Sequence, residues 1–218
     1  MASKFDIANQ GLVLVGANTI TSFSENTTES KVASQLYETT LNTLLTRCRW
    51  RFATKQVQLS YDSTAPLGRW NSKHTLPADA LIIHTISVSD NIIQYDRYNT
   101  YIYSDADATD TVIADYTSSV TESELPEYFI QSLVFELASL FAGAIARNDT
   151  LSELYNKRAA TQLALAKNID SQAQTTKRVD VNRFRDRRNR TSLSGVSAVV
   201  SDRWLFKEYI NLPFIEVK

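Results

Sequence analysis

Two histidines and one cysteine are the side chains of this 218-residue chain best suited to general-base or nucleophilic chemistry, and they stand in no catalytic pattern. His84 follows three apolar residues in a segment with strand character, and no serine or cysteine motif accompanies it. Cys48 lies on the apolar stripe of a predicted helix, where a free cysteine packs as a small hydrophobic side chain. A hydrolase would need a pocket that joins His84 to a nucleophile. We therefore expect a protein that is not an enzyme.

Carboxylates are concentrated in the middle of the chain. Between Asp90 and Glu124 there are eight acidic residues and a single base, Arg97. An EF-hand loop does not fit, because its sixth position would be Asp110 instead of glycine and its twelfth would be Tyr116 instead of glutamate. We expect no metal and no cofactor here, and we interpret the loop carboxylates as an acidic surface for contacts between subunits. Its members are Asp105, Asp107 and Asp110.

The C-terminal part of the chain is basic and then aromatic. Residues 177–190 contain seven bases and two acids, and bulky apolar residues follow after a stretch of small ones. Arginine forks suit carboxylates, so docking on a protein is the preferred interpretation. The alternative is a nucleic-acid-binding module that uses segment 177–190. The aromatic cluster needs a surface to pack on, either a partner or the chain's own helices. The predicted docking residues are Arg183, Phe184, Arg185, Arg187, Arg188, Trp204, Phe206, Tyr209 and Phe214.

Composition places the chain among ordinary soluble globular proteins. The formal net charge is -1 and 43% of the residues are hydrophobic. The single cysteine allows no internal disulfide, which favours a reducing compartment. No apolar run approaches transmembrane length and no signal peptide is expected, so we predict no membrane contact.

Apolar residues recur at helical spacing in four segments. The first runs from Phe5 to Val15 and ends at Gly16. The second is expected to begin at a capping box formed by Asn26 and Glu29. Pro126 fits the first position of the third helix, where its missing N–H has no helical partner to lose.

A fourth helix is predicted to begin at the capping box of Thr150 and Glu153, as the second half of an antiparallel hairpin. The predicted fold is α+β and mainly α, with an antiparallel four-helix bundle, an inserted antiparallel β-sheet and an extended C-terminal arm. The candidate strands are Val57–Tyr61, Leu81–Val88, Ile92–Tyr95, Thr100–Tyr103 and Thr111–Tyr116. The predicted domains are the bundle at 1–54 and 120–176, the β insertion at 55–119, and the basic linker and docking arm at 177–218.

Four short motifs occur in order along the chain. The first is Leu14-Val15-Gly16-Ala17-Asn18 with Ile20-Thr21-Ser22-Phe23, and the second is Trp50-Arg51-Phe52-Ala53-Thr54. The third is Lys73-His74-Thr75-Leu76-Pro77-Ala78-Asp79, and the fourth is Glu124-Leu125-Pro126-Glu127-Tyr128-Phe129. In this order they resemble the tail tubular protein A family, the adaptor or gatekeeper-ring proteins of T7-like podoviruses. The resemblance spans most of residues 5–175. Asn18 and Thr19 depart from the acid and the proline that the family usually has at the first motif.

The resemblance implies a virion structural protein of a bacteriophage, located in the tail at the head–tail interface and assembled in the host cytoplasm. It implies a homo-oligomeric ring, a dodecamer, that binds the portal protein and surrounds the channel for genomic DNA. It also implies contact with the tail nozzle, formed by tail tubular protein B-like subunits, or with other tail proteins. No catalytic residues are implied. The docking residues would then grip the portal or an adjoining ring, and the acidic surface would face another subunit or the tail.

Overall fold

The computed structural model describes residues 3–64, 66 and 68–173. Within them the chain forms four helices and eight strands. The helices are α1 (Lys4–Val15), α2 (Thr28–Thr46), α3 (Glu127–Ala144) and α4 (Asp149–Gln172). The strands are β1 (Thr54–Gln58), β2 (Ser60–Tyr61), β3 (Ser72–Thr75), β4 (Ala80–Val88), β5 (Asn91–Ile92), β6 (Tyr95–Tyr98), β7 (Tyr101–Ser104) and β8 (Val112–Ser118).

Helix ends follow local capping chemistry. The predicted stop at Gly16 is confirmed, because this glycine adopts φ 77°, a left-handed conformation that closes α1. Two predicted caps are wrong by one or two residues. Thr27 caps α2 by accepting from the Ser30 N–H, and Asn148 caps α4 by accepting from the Leu151 N–H. In both cases a neighbouring residue also has a good capping side chain, so sequence alone does not distinguish the two.

Helix α3 is the centre of the helical part, and the other three helices pack against it. Helices α3 and α4 form the predicted antiparallel hairpin, since Tyr128 contacts Asp170 at one end and Ser139 contacts Ser152 at the other. Helices α1 and α2 barely touch each other.

The predicted antiparallel four-helix bundle is therefore wrong. Four helices do not surround one shared axis, because connecting segments complete the core of α1, α2 and α3. Trp50 and Ala53, which follow α2, are fully buried there, and Val120 and Leu125 close the same core ahead of α3. Helix α4 buries few residues of its own. The mixture of helices with antiparallel strands is confirmed.

The strands form two antiparallel sheets where one was predicted. The first has the order β1-β8-β4-β5 and the second has the order β2-β3-β7-β6. The two sheets share a core to which Ile86 and Ala114 contribute from the first sheet and Ile102 from the second. The single predicted sheet is wrong partly because β3, with the sequence Ser-Lys-His-Thr, carries no apolar alternation that would reveal it. The described residues all belong to one compact unit, and the predicted division into domains stays a prediction.

Candidate interaction surfaces

The residues with catalytic potential lie apart and serve packing. His84 Nε2 is 2.8 Å from Thr117 Oγ1 on the neighbouring strand β8, but Thr117 is only 1% exposed and offers a substrate no access. His74 is buried on β3, where burial lowers its pKa. Burial raises the pKa of the Cys48 thiol, because in both residues it disfavours the charged form. Across the described ranges, no group of three or more His, Cys, Asp or Glu side chains is placed to hold a metal ion.

The predicted acidic surface lies in the loop between β7 and β8. The Asp107 N–H donates to Asp110 Oδ2 at 2.9 Å, and the Asp110 N–H donates to the Asp107 carbonyl at 3.0 Å. Asp105 and Asp110 together line a shallow pocket of about 360 Å³ whose floor includes Val88 and Ile93, while Asp107 lies outside it. All three carboxylates are exposed, so the loop presents a concentrated negative charge. Whether it contacts another subunit stays a prediction.

The predicted docking residues, from Arg183 to Phe214, lie outside the described residues. So does the basic segment 177–190.

A cluster of aromatic side chains covers the outer side of the second sheet. Tyr101 and Tyr103 alternate along β7 with buried Ile102 and Ser104, so both rings lie on the outer face. Strand β6 places Tyr98 directly opposite Tyr101, and the rings of Tyr98 and Tyr103 meet edge to face at 5.3 Å. We call this surface the aromatic face; its members are Trp70, Tyr98, Tyr101 and Tyr103.

Charged side chains of both signs are seated on the aromatic face. Lys73 Nζ lies 3.8 Å from the ring centroid of Tyr101 and 2.8 Å from Asp62 Oδ2. The hydrogen bond with Lys73 lowers the pKa of the Asp62 carboxyl to about 2. The Arg69 guanidinium lies 5.1 Å from the Trp70 ring. The face thus binds cations through its rings and balances them with carboxylates.

Asp96 holds the outer corner of the aromatic face together. Its Oδ2 accepts hydrogen bonds from Arg69 Nη2 at 2.8 Å, from Trp70 Nε1 at 3.2 Å and from the Tyr98 hydroxyl at 3.4 Å. The Arg69 guanidinium holds the pKa of the Asp96 carboxyl below its usual range. Trp, Tyr and Arg are the residue types that dominate the binding energy of protein interfaces.

Sequence reasoning missed the aromatic face. The alternation Tyr101-Ile102-Tyr103 within a predicted strand was a usable signal, because it puts both tyrosines on one side. The positions of Trp70 and Tyr98 depend on cross-strand pairing and on the Asp96 hydrogen bonds, which no local pattern reveals.

A second surface is an open groove of about 840 Å³ between α1 and α3. Val13 stands on its α1 side and is 60% exposed, while Val134 and Phe135 line it from α3. Phe135 also lines a smaller depression together with Leu154 and polar residues of α4, so residues of three helices line the two openings. We call this surface the helical groove.

The ordered motifs meet at structural junctions. The Trp50 ring contacts the Phe129 ring edge to face at 5.1 Å, and Phe52 contacts the same ring at 5.0 Å. The carboxylate of Asp170, on α4, accepts from the Arg51 N–H at 3.0 Å and from the Tyr128 hydroxyl at 2.8 Å. The second and fourth motifs therefore join α2, α3 and α4.

No protein-family model matches the chain, and no curated protein matches it. None of the helices that the structure describes is both long enough and apolar enough to cross a bilayer.

Proposed function

We propose that this protein is a structural subunit of a bacteriophage virion, an adaptor that joins the portal ring to the tail around the DNA channel. The observation that carries the proposal is the meeting of the second and fourth motifs at the Trp50–Phe129 contact. These motifs resemble those of tail tubular protein A, and they lie about 70 residues apart in the sequence yet pack together here, as expected if they belong to one framework.

The described surfaces suit binding better than catalysis. Both the aromatic face and the helical groove are open to solvent, and their residues are of the types that protein interfaces use. In the proposed adaptor, the helical part forms the wedge of a homo-oligomeric ring, a dodecamer, and the sheets extend toward the nozzle or another tail protein.

The C-terminal arm is proposed to clamp the portal. Its four anchors are Trp204, Phe206, Tyr209 and Phe214, and replacing all four by alanine in the full chain should abolish co-sedimentation with the cognate portal ring. A variant that lacks residues 192–218 should behave in the same way. The matched control replaces exposed Ile92, far from the arm in sequence, by alanine and should bind as the natural chain does.

Negative-stain images provide the second measurement. We expect rings of the adaptor on the portal for the natural chain and bare portals for the arm variants. Unchanged portal binding by both arm variants would refute the clamp. Absence of portal binding by the natural chain would refute the adaptor function itself.

A nucleic-acid-binding module is the second candidate, because segment 177–190 holds seven bases and two acids. Affinity for duplex DNA should then fall steeply with salt, with a slope that reflects several released counterions. The remainder of the chain opposes such binding. Residues 1–173 contain 13 Lys and Arg against 19 Asp and Glu, a net charge of -6. A salt-independent or undetectable affinity would eliminate this candidate.

A further inference from the structure

Strand β6 is an open edge beside the aromatic face. It stands last in the order β2-β3-β7-β6, and within the described part of the chain no strand pairs with its outer side. Asp96 and Tyr98 project from β6 onto the aromatic face, since they pair with Tyr103 and Tyr101 across the sheet. Tyr98 is 56% exposed. An extended segment that added to this edge would therefore lie directly against a carboxylate and an uncovered ring.

The part of the chain that forms the two sheets is acidic as a whole, which favours a basic occupant. Residues 54–118 contain four Lys and Arg against eight Asp and Glu, a net charge of -4. Three of the four bases, Arg69, Lys73 and Lys55, are in ion pairs, and the fourth, Arg97, lies on β6 itself. By contrast, residues 174–218 contain ten bases against five acids, a net charge of +5. Complementary potentials of this kind guide the association of protein surfaces and set their register.

We propose that the segment Arg183–Arg188 of a second copy of this chain binds along β6 as an added strand. Arg183, Arg185 and Arg187 alternate with other residues, so in an extended strand they share one side and recur about every 6.8 Å. The same repeat separates Asp96 from Tyr98 on β6. One arginine thus joins Arg69 at the Asp96 carboxylate, and the next lies over the Tyr98 ring.

The aromatic face already shows the required chemistry with its own cations. Lys73 Nζ sits 3.8 Å from the Tyr101 centroid, and Arg69 both contacts the Trp70 ring and binds Asp96 at 2.8 Å. The cations of the aromatic face lie over Trp70 and Tyr101, so the exposed ring of Tyr98 is accessible to an incoming cation. Arginine suits this position because its planar guanidinium stacks on rings and forks onto carboxylates. Main-chain hydrogen bonds to the edge of β6 supply the sequence-independent part of the affinity.

Such a contact is heterologous, since the basic segment of one copy meets the sheet edge of the next. Repetition of a heterologous contact closes into a ring when its rotation permits. The inference rests on the proposed function only in assuming that copies assemble side by side. Portal binding and this contact are measured separately, so either can fail without the other.

The test is peptide binding by fluorescence anisotropy at low salt. The probe is a labelled peptide of residues 181–190. The protein is the full chain with Arg183, Arg185 and Arg187 replaced by glutamine, so that its own segment does not compete. We expect saturable binding. Tyr98→Ala and Asp96→Asn should each weaken it about fivefold, as expected for one exposed cation–π or charged hydrogen-bond contact. Far-UV circular dichroism confirms that each variant folds.

Matched controls separate a specific site from general attraction. Tyr61→Ala removes another exposed tyrosine of the same sheet, from the opposite edge strand β2, and should change the affinity less than twofold. A peptide of the same composition with its arginines grouped together should bind at least fivefold more weakly. Absence of saturable binding, an equal loss for Tyr61→Ala, or equal binding of the regrouped peptide would each overturn the proposal.

Discussion

Replacing Asp170 by alanine should loosen the junction between the second and fourth motifs. The carboxylate is 5% exposed and accepts from the Arg51 N–H at 3.0 Å and from the Tyr128 hydroxyl at 2.8 Å. Burial, together with Asp170, raises the pKa of the Tyr128 hydroxyl, so this group stays a donor across the accessible pH range. Each hydrogen bond to a charged group contributes about 1.5–3 kcal/mol to stability. Alanine also removes the cost of burying the carboxylate charge, and this gain offsets part of the loss of the two hydrogen bonds. We expect Asp170→Ala to lower the free energy of unfolding by about 2–4 kcal/mol.

Urea unfolding followed by tryptophan fluorescence measures this loss, since Trp50 lies in the same junction. Tyr128→Phe removes one of the two bonds and should cost about 1–2 kcal/mol. The double variant should cost less than the sum of the two single variants, because the shared bond is lost only once. A loss below about 0.5 kcal/mol for Asp170→Ala, or strict additivity in the double variant, would refute the assigned role of this carboxylate.

Three further predictions concern stability. Asn9→Ala removes the two hydrogen bonds, at 2.8 and 2.9 Å, that fix the backbone of Ile20, and should cost about 1–3 kcal/mol in urea unfolding; a neutral result would contradict it. Gly16→Ala should cost about 1 kcal/mol because φ is 77° at this residue. Gly143→Ala inside α3 should be neutral or stabilising, since the added Cβ would lie 3.8 Å from Ser152 Oγ; the reverse ranking of melting temperatures would contradict both predictions. Burial lowers the pKa of His74, so the imidazole binds a proton more readily in the unfolded chain, and the melting temperature should fall as the pH drops below about 6.5. His74→Phe should reduce this dependence of melting temperature on pH, and an unchanged dependence would exclude His74 as its source.

The elements were predictable from sequence to the extent that their signals are local. The helical spacing and Gly16 correctly marked α1, and Pro126 marked the start of α3 to within one residue. Strand β4 has the predicted end at Val88, because its apolar run is long and a turn follows it. Caps failed wherever two capping residues stand close together, since the choice between them is decided by tertiary packing.

The arrangement of the elements was less predictable. The apolar stripe of an amphipathic helix shows which face is buried but not which element packs on it. Here loop residues such as Trp50 and Leu125 occupy part of the core volume that another helix would fill in a bundle. The second sheet depends on β3, whose buried Ser72 and His74 are polar and leave no hydrophobic pattern. The aromatic face depends in turn on that sheet, so its site residues were hidden for the same reason.

The slight burial of α4 implies that this helix has its own opening equilibrium. Only Tyr155, Ala159, Ala166 and Asp170 of its 24 residues are buried. A helix that buries so few of its side chains detaches at a lower free energy than the α3 core. Amide hydrogens of α4 should therefore exchange with deuterium sooner than those of α3, and Asp170→Ala should accelerate α4 selectively. The helix would then behave as a hinged outer layer, able to change its packing while the rest of the subunit remains folded.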